Sequence, residues 1–177
     1  MKAETVTVRD TVYVAVHDTT VIPGLISDTT TTFIIVRHAE KETTSTDPNL
    51  NSDGVLRAEE LKRILGNIPV SAVYSTPFNR TRQTGQPLAT AKGVSITEYA
   101  TSKPYAELVD ELLAAWRGKV IVVVGHSNTV PDILKEISNN TFNITISDSQ
   151  YDDLFIVSMP DHLTPTIQHL KYGNATP

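Results

Sequence analysis

Apolar residues recur along this chain in three rhythms, and each predicts a different kind of element. Before Thr32 the valines Val6, Val8, Val12, Val14 and Val16 recur at every second position within their runs, the period-2 pattern of an extended strand. Pro23 and Gly24 break that pattern, and Thr29-Thr30-Thr31-Thr32 has the β-branched polar character of a linker. Residues 1–31 are therefore expected to form an extended arm ahead of a domain spanning 32–177.

The second rhythm is the short unbroken apolar run. Phe33-Ile34-Ile35-Val36 and Val120-Ile121-Val122-Val123-Val124 read as strands buried on both faces of a parallel sheet, the latter near its centre. Val70 to Tyr74, Val94 to Tyr99 and Leu154 to Ser158 add further strands. The third rhythm is helical. Asn51 caps a helix whose stripe runs through Val55, Leu56, Glu59, Leu61, Ile64 and Leu65, with Gly66 and Pro69 ending it. Asn79 to Ala91 and Val130 to Ile137 read as helices, as does Pro104 to Trp116 with Tyr105, Leu108, Leu112 and Trp116 three or four apart. Strands alternating with helices predict an α/β three-layer sandwich, with a mainly parallel central sheet and helices on both faces. No internal repeat is present.

Composition narrows the function classes. A chain of 177 residues with 40% hydrophobic and 20% charged residues has the make-up of an ordinary globule. A net charge of -5 argues against general nucleic-acid binding, so any phosphate-binding charge must be local. No apolar run approaches the ~20 residues of a membrane helix, and the first residues lack a signal-peptide pattern. A cytoplasmic location is one expectation; a periplasmic or envelope location is the other, if an export signal preceded Met1. The absence of cysteine removes thiolate nucleophiles and cysteine-ligated metals.

Two histidines follow the two most apolar strands: His38 in Val36-Arg37-His38-Ala39-Glu40-Lys41 and His126 in Val124-Gly125-His126-Ser127-Asn128. The carboxyl ends of parallel strands gather at one edge, so these residues, 88 positions apart, are expected to meet. A third segment, Ser75-Thr76-Pro77-Phe78-Asn79-Arg80-Thr81-Arg82-Gln83-Thr84, leaves another strand at that edge and opens a helix. Phosphoryl transfer suits such a set, because its transition state is stabilised mainly by positioned positive charge and hydrogen-bond donors. Arginine forks match the phosphoryl oxygens, and a neutral imidazole is a competent nucleophile near pH 7.

From Phe33 to about Ser158 the chain resembles the histidine phosphatase superfamily, with its phosphoglycerate mutase-like fold. Within it, the small single-domain members of the phosphohistidine phosphatase type are the nearest likeness. The carrying motifs are the strand ending in Arg37-His38, the Ser75 to Thr84 segment, the strand ending in Gly125-His126-Ser127, and the capped Leu50-Asn51-Ser52-Asp53-Gly54-Val55-Leu56-Arg57-Ala58. The resemblance implies His38 as phosphorylated nucleophile, Arg37 and Arg80 as phosphate clamps, and His126 as a donor to the transferring group. It departs at Ala39, where the family usually has glycine, and in lacking a glutamate after the third strand. Glu107 is the nearest candidate for the general acid.

The expected activity is metal-independent hydrolysis of phosphomonoesters or of phosphoprotein, phosphohistidine included, through phospho-His38, with no cofactor. A non-catalytic phosphate- or phosphoprotein-binding module and a small-molecule phosphomutase are the rival readings. Arg82 is expected to point away from the site, and Arg57, Lys62 and Arg63 to solvate a helix face. His17, His38, His126, His162 and His169 show no metal-ligand spacing, and the last two after Ser158 are expected on the surface. The partner is expected to be a phosphorylated small molecule or phosphoprotein, with neither nucleic acid nor a membrane span, and self-association through the N-terminal arm is a further expectation.

Overall fold

The structure is a computed structural model that describes residues 5–8, 11–14, 29–43, 45–161 and 164–177. Its centre is a six-stranded sheet in the order β5-β4-β6-β3-β7-β8. The strands are β3 (Thr30–Arg37), β4 (Val70–Ser75), β5 (Ile96–Glu98), β6 (Val120–Gly125), β7 (Asp153–Pro160) and β8 (Thr166–Lys171). β5, β4, β6 and β3 run parallel, whereas β7 is antiparallel to β3, and β8 to β7. Four helices complete the fold: α1 (Ser52–Ile64), α2 (Asn79–Lys92), α3 (Tyr105–Trp116) and α4 (Thr129–Ile137).

Strand alternation sorts the core into two layers. Phe33, Ile35, Ile121 and Val123 pack with Leu108 and Leu112 of α3 and with Val130, Ile133 and Leu134 of α4. Ile34, Val36, Val122 and Val124 turn the other way, against Leu61 and Leu65 at α1 and Leu88 and Ala89 of α2. This is the expected three-layer arrangement, with the most apolar run, β6, inside the sheet.

Several details differ from expectation. β3 starts at Thr30, ahead of Phe33, because Thr30 to Thr32 pair with Ser158 to Pro160 and the buried Thr31 hydroxyl accepts from the Gly118 N–H at 2.9 Å. Three of the four threonines expected in a linker, Thr30 to Thr32, thus belong to the sheet. Along α1 the buried face is Gly54, Arg57, Ala58 and Leu61, whereas Val55 and Leu56 are 51% and 62% exposed.

Arg57 does not solvate a helix face. It is buried, its Nε and Nη2 donate to the Glu40 carboxylate, and its Nη1 and Nη2 donate to the Tyr172 and Asn174 carbonyls. Lys62 and Arg63 pair with Glu59 and Glu60 on the outer face. β8 lay outside every predicted strand, and it carries His169, whose ring stacks on Phe155 at 4.5 Å and bonds the Asp153 carboxylate at 2.6 Å.

The single strand expected over Val6 to Val16 is instead an antiparallel pair, β1 (Thr5–Val8) with β2 (Thr11–Val14), forming a two-stranded sheet of its own. Val16, His17, Pro23, Gly24 and His162 lie outside the described residues. Among the described residues no helix is long and apolar enough to cross a membrane.

Candidate active site

Register explains how His38 and His126 meet. β3 and β6 are adjacent and parallel with Arg37 opposite Gly125, so the next residue of each chain segment emerges at the same point of the sheet edge. The His38 N–H donates to the Gly125 carbonyl at 2.9 Å, and the two ring centroids lie 5.3 Å apart, edge to face. Gly125 leaves no room for a side chain, since a Cβ there would fall 2.6 Å from Thr129 Oγ1. That hydroxyl accepts from the His126 N–H at 2.8 Å and fixes the turn into α4.

His38 is held in one tautomer. Its Nδ1 lies 2.8 Å from the Ala39 carbonyl, which only accepts, so Nδ1 carries the hydrogen and Nε2 keeps its lone pair. Ala39 is fully buried and is not among the described residues with positive φ, so the missing glycine costs no backbone strain. Its N–H donates to Thr84 Oγ1, which ties the loop carrying His38 to α2. Burial chiefly, together with the nearby Arg37, His126 and Arg80, lowers the His38 pKa to about 3. Burial and the same two arginines lower that of His126 to about 4. His126 Nε2 is engaged with Thr76 Oγ1 at 2.9 Å, and its ring meets Phe78 edge-on at 5.3 Å.

The arginines come from different elements. Arg37 ends β3; its Nη1 donates to the Ser147 and Gln150 carbonyls and its Nη2 to that of Asp148, while its Nε is buried without a partner. Three of its five N–H donors are thus spent on the loop before β7. Arg80 sits in the first turn of α2 with its guanidinium 4.5 Å over the Phe78 ring and 3.7 Å from the Asp47 carboxylate. Its buried Nε also has no partner. Asp47 in addition accepts from the Asn79 N–H at 2.9 Å, capping a helix start whose N-cap residue, Phe78, has no capping side chain.

These groups line one pocket of about 620 Å³. Lys41, Thr101, Tyr105, Ser127, Asp148 and Tyr151 contribute to its rim and walls. Arg82 faces elsewhere, paired with Glu98 and Asn79. Glu107 is exposed and outside the pocket lining, because Tyr105 holds the pocket side of α3 and two positions on is about 200° around a helix. Tyr151 and Asp148 were absent from the sequence expectations: residues 139–152 carry no periodic pattern, and nothing short of the Arg37 contacts marks them. Among the described residues no group of three or more histidines, aspartates or glutamates is placed to hold a metal ion.

Comparison with known proteins agrees with this fold. Residues 33–101 match the family model described as histidine phosphatase superfamily (branch 1), a span that contains Arg37, His38 and Arg80 but stops before His126. No curated protein sequence matches the chain. Among solved structures, the protein histidine phosphatase SixA complexed with tungstate aligns with a TM-score of 0.64 at 13% identity, over 79% of this chain and 96% of that one. Phosphoserine phosphatase from Entamoeba histolytica, in complex with 3-phosphoglyceric acid, gives 0.60 at 16%, over 82% and 98%. A mycobacterial glucosyl-3-phosphoglycerate phosphatase gives 0.61 at 11%, over 82% and 100%. At these identities the likeness is one of fold.

Proposed function

We propose, on the premise that the chain belongs to the histidine phosphatase superfamily, that it hydrolyses phosphomonoesters through a phosphoryl group carried on His38. The carrying observation is the fixed tautomer: Nδ1 bound to the Ala39 carbonyl leaves the Nε2 lone pair free beside two arginines and a second imidazole. With its pKa held near 3, His38 needs no base to strip a proton before it attacks.

In the first step Nε2 bonds to phosphorus as the ester P–O bond breaks. Water then attacks phosphorus and the P–N bond breaks, returning the electron pair to Nε2. Arg80 and the remaining donors of Arg37 take the phosphoryl oxygens, and His126 faces the transferring group. Substrates proposed for this pocket are phosphorylated small molecules and phosphorylated protein side chains, phosphohistidine included. The domain from Thr29 to Pro177 is taken as the catalytic unit and residues 1–28 as separable from it, because Thr30 and Thr31 already pair within the central sheet.

Steady-state turnover of 4-nitrophenyl phosphate by the parent and by His38→Ala tests the reading. We expect the variant to lose at least ~10³-fold in kcat while its circular dichroism and melting profile stay native. Unimpaired turnover by the variant contradicts the reading, and an absence of turnover in the parent with retained phosphate binding favours the binding module instead.

A further inference from the structure

Expelling an alcohol from phosphorus leaves an alkoxide unless a proton reaches the departing oxygen, and a positioned donor is worth typically ~10²–10⁴-fold. The residue expected in that role, Glu107, is outside the pocket. Asp148 is the carboxylate lining it, but that side chain is 98% exposed, with Oδ1 accepting from Ser127 Oγ at 3.1 Å. The same Oδ1 lies 3.9 Å from Arg37 Nη2, so this carboxylate is shared between Ser127 and the arginine at the mouth of the pocket and is open to solvent. Tyr105, the other phenol of the pocket wall, opens α3 and is packed half-buried against the core.

Tyr151 differs from all of these in being fixed next to the nucleophile. Its ring centroid is 6.0 Å from that of His38, and the Arg37 guanidinium lies over its face at 4.1 Å. Its backbone N–H donates to Thr176 Oγ1 at 3.0 Å. The preceding carbonyls of Ser147 and Gln150 each accept from Arg37 at 2.7 Å. The arginine at the phosphoryl site therefore also sets the position of the tyrosine, and a phenol is an oxygen acid with one transferable hydrogen.

We propose that the Tyr151 hydroxyl is the proton donor to the leaving group, an assignment that rests on the phosphatase reading above. As the Nε2–P bond forms and the P–O bond breaks, the electron pair stays on the departing oxygen and Tyr151 Oη–H supplies its proton. In the second step the attacking water gives its proton to the Tyr151 phenolate, so the phenol is restored when phosphate leaves. The substrates that need this group are phosphate esters of alcohols, whose leaving oxygens are strongly basic; aryl esters with electron-withdrawing substituents do not.

The test is leaving-group dependence in the full chain. Parent and Tyr151→Phe, which keeps the ring over Arg37, are compared on 2,4-dinitrophenyl, 4-nitrophenyl, phenyl and benzyl phosphate. Expected is a loss in kcat/KM of about 100-fold on benzyl phosphate that shrinks to less than ~3-fold on the dinitrophenyl ester. An equal loss across the series, or none on benzyl phosphate, overturns the assignment. A graded loss in Asp148→Asn or Lys41→Gln with none in Tyr151→Phe also overturns it and moves the role to that residue. Failure of the phosphatase reading itself looks different: the parent then fails to turn over even the dinitrophenyl ester.

Discussion

Burial beside Arg37 and Arg80 holds both site imidazoles neutral, and that has a consequence for stability. In the unfolded chain histidines titrate near pH 6.5, whereas in the fold His38 and His126 take up protons only near 3 and 4. Between those limits the unfolded state binds more protons, so the stability they contribute is complete above pH 6.5 and is lost as the pH falls toward 4 and then 3. Melting midpoints from pH 7 to pH 4 should fall more steeply for the parent than for His38→Asn; equal slopes would mean that His38 titrates normally. A second prediction concerns Arg80, whose buried Nε lacks a partner and whose head is only 3.7 Å from Asp47. Arg80→Ala should weaken orthovanadate binding by roughly 10- to 100-fold, the worth of one or two charge-assisted hydrogen bonds, as read by inhibition or calorimetry. Undiminished binding would take the clamp away from Arg80.

Elements differ in how plainly the sequence announces them, and the reason is burial. β3 and β6 are covered on both faces, so Phe33 to Val36 and Val120 to Val124 read as unbroken apolar runs and carried His38 and His126 to the right edge with them. The Asn51 cap announces α1, its Oδ1 accepting from the Gly54 N–H at 2.9 Å, and the second half of the expected stripe, Leu61, Ile64 and Leu65, faces the core as expected, whereas the first half does not. Gly54 lies against the Glu40 backbone, where a Cβ would fall 2.0 Å from the carbonyl oxygen, and a charged Arg57 points inward while Val55 and Leu56 point out. A hydropathy pattern cannot reveal an arginine buried by an ion pair whose partner is 17 residues away. β8 escaped notice because an edge strand with most residues exposed needs no apolar alternation. Tyr151 escaped because it sits in irregular backbone, held by an arginine and not by a periodic face. The Glu40–Arg57 pair ties the loop that follows His38 to α1 and to the segment at Tyr172 and Asn174. Arg57→Ala should cost about 3 kcal/mol, or roughly 6–12 °C in melting temperature, by leaving Glu40 unpaired in a mostly buried site. A change within 1 °C by calorimetry would show the pair to be dispensable.

On the scale of the whole molecule, the six-stranded sheet with its four helices accounts for the site, and the β1–β2 pair stands apart from it. A two-stranded sheet is marginal alone, and we expect this pair to be stabilised by association with a second copy of the chain. Removing residues 1–28 should lower the mass measured by light scattering at high protein concentration and leave turnover unchanged; an identical mass would assign the arm no part in assembly. What unites sheet, pocket and arginines is the claim that the phosphoryl group rests on one nitrogen. Its direct measurement is a rapid acid or alkali quench of the enzyme during turnover of 32P-labelled substrate, followed by mapping of the label. The account predicts phosphate that survives alkali, is lost in acid, maps to the peptide containing His38, and forms and decays as fast as turnover. Label on any other residue, or turnover with none trapped at any time after mixing, would contradict it.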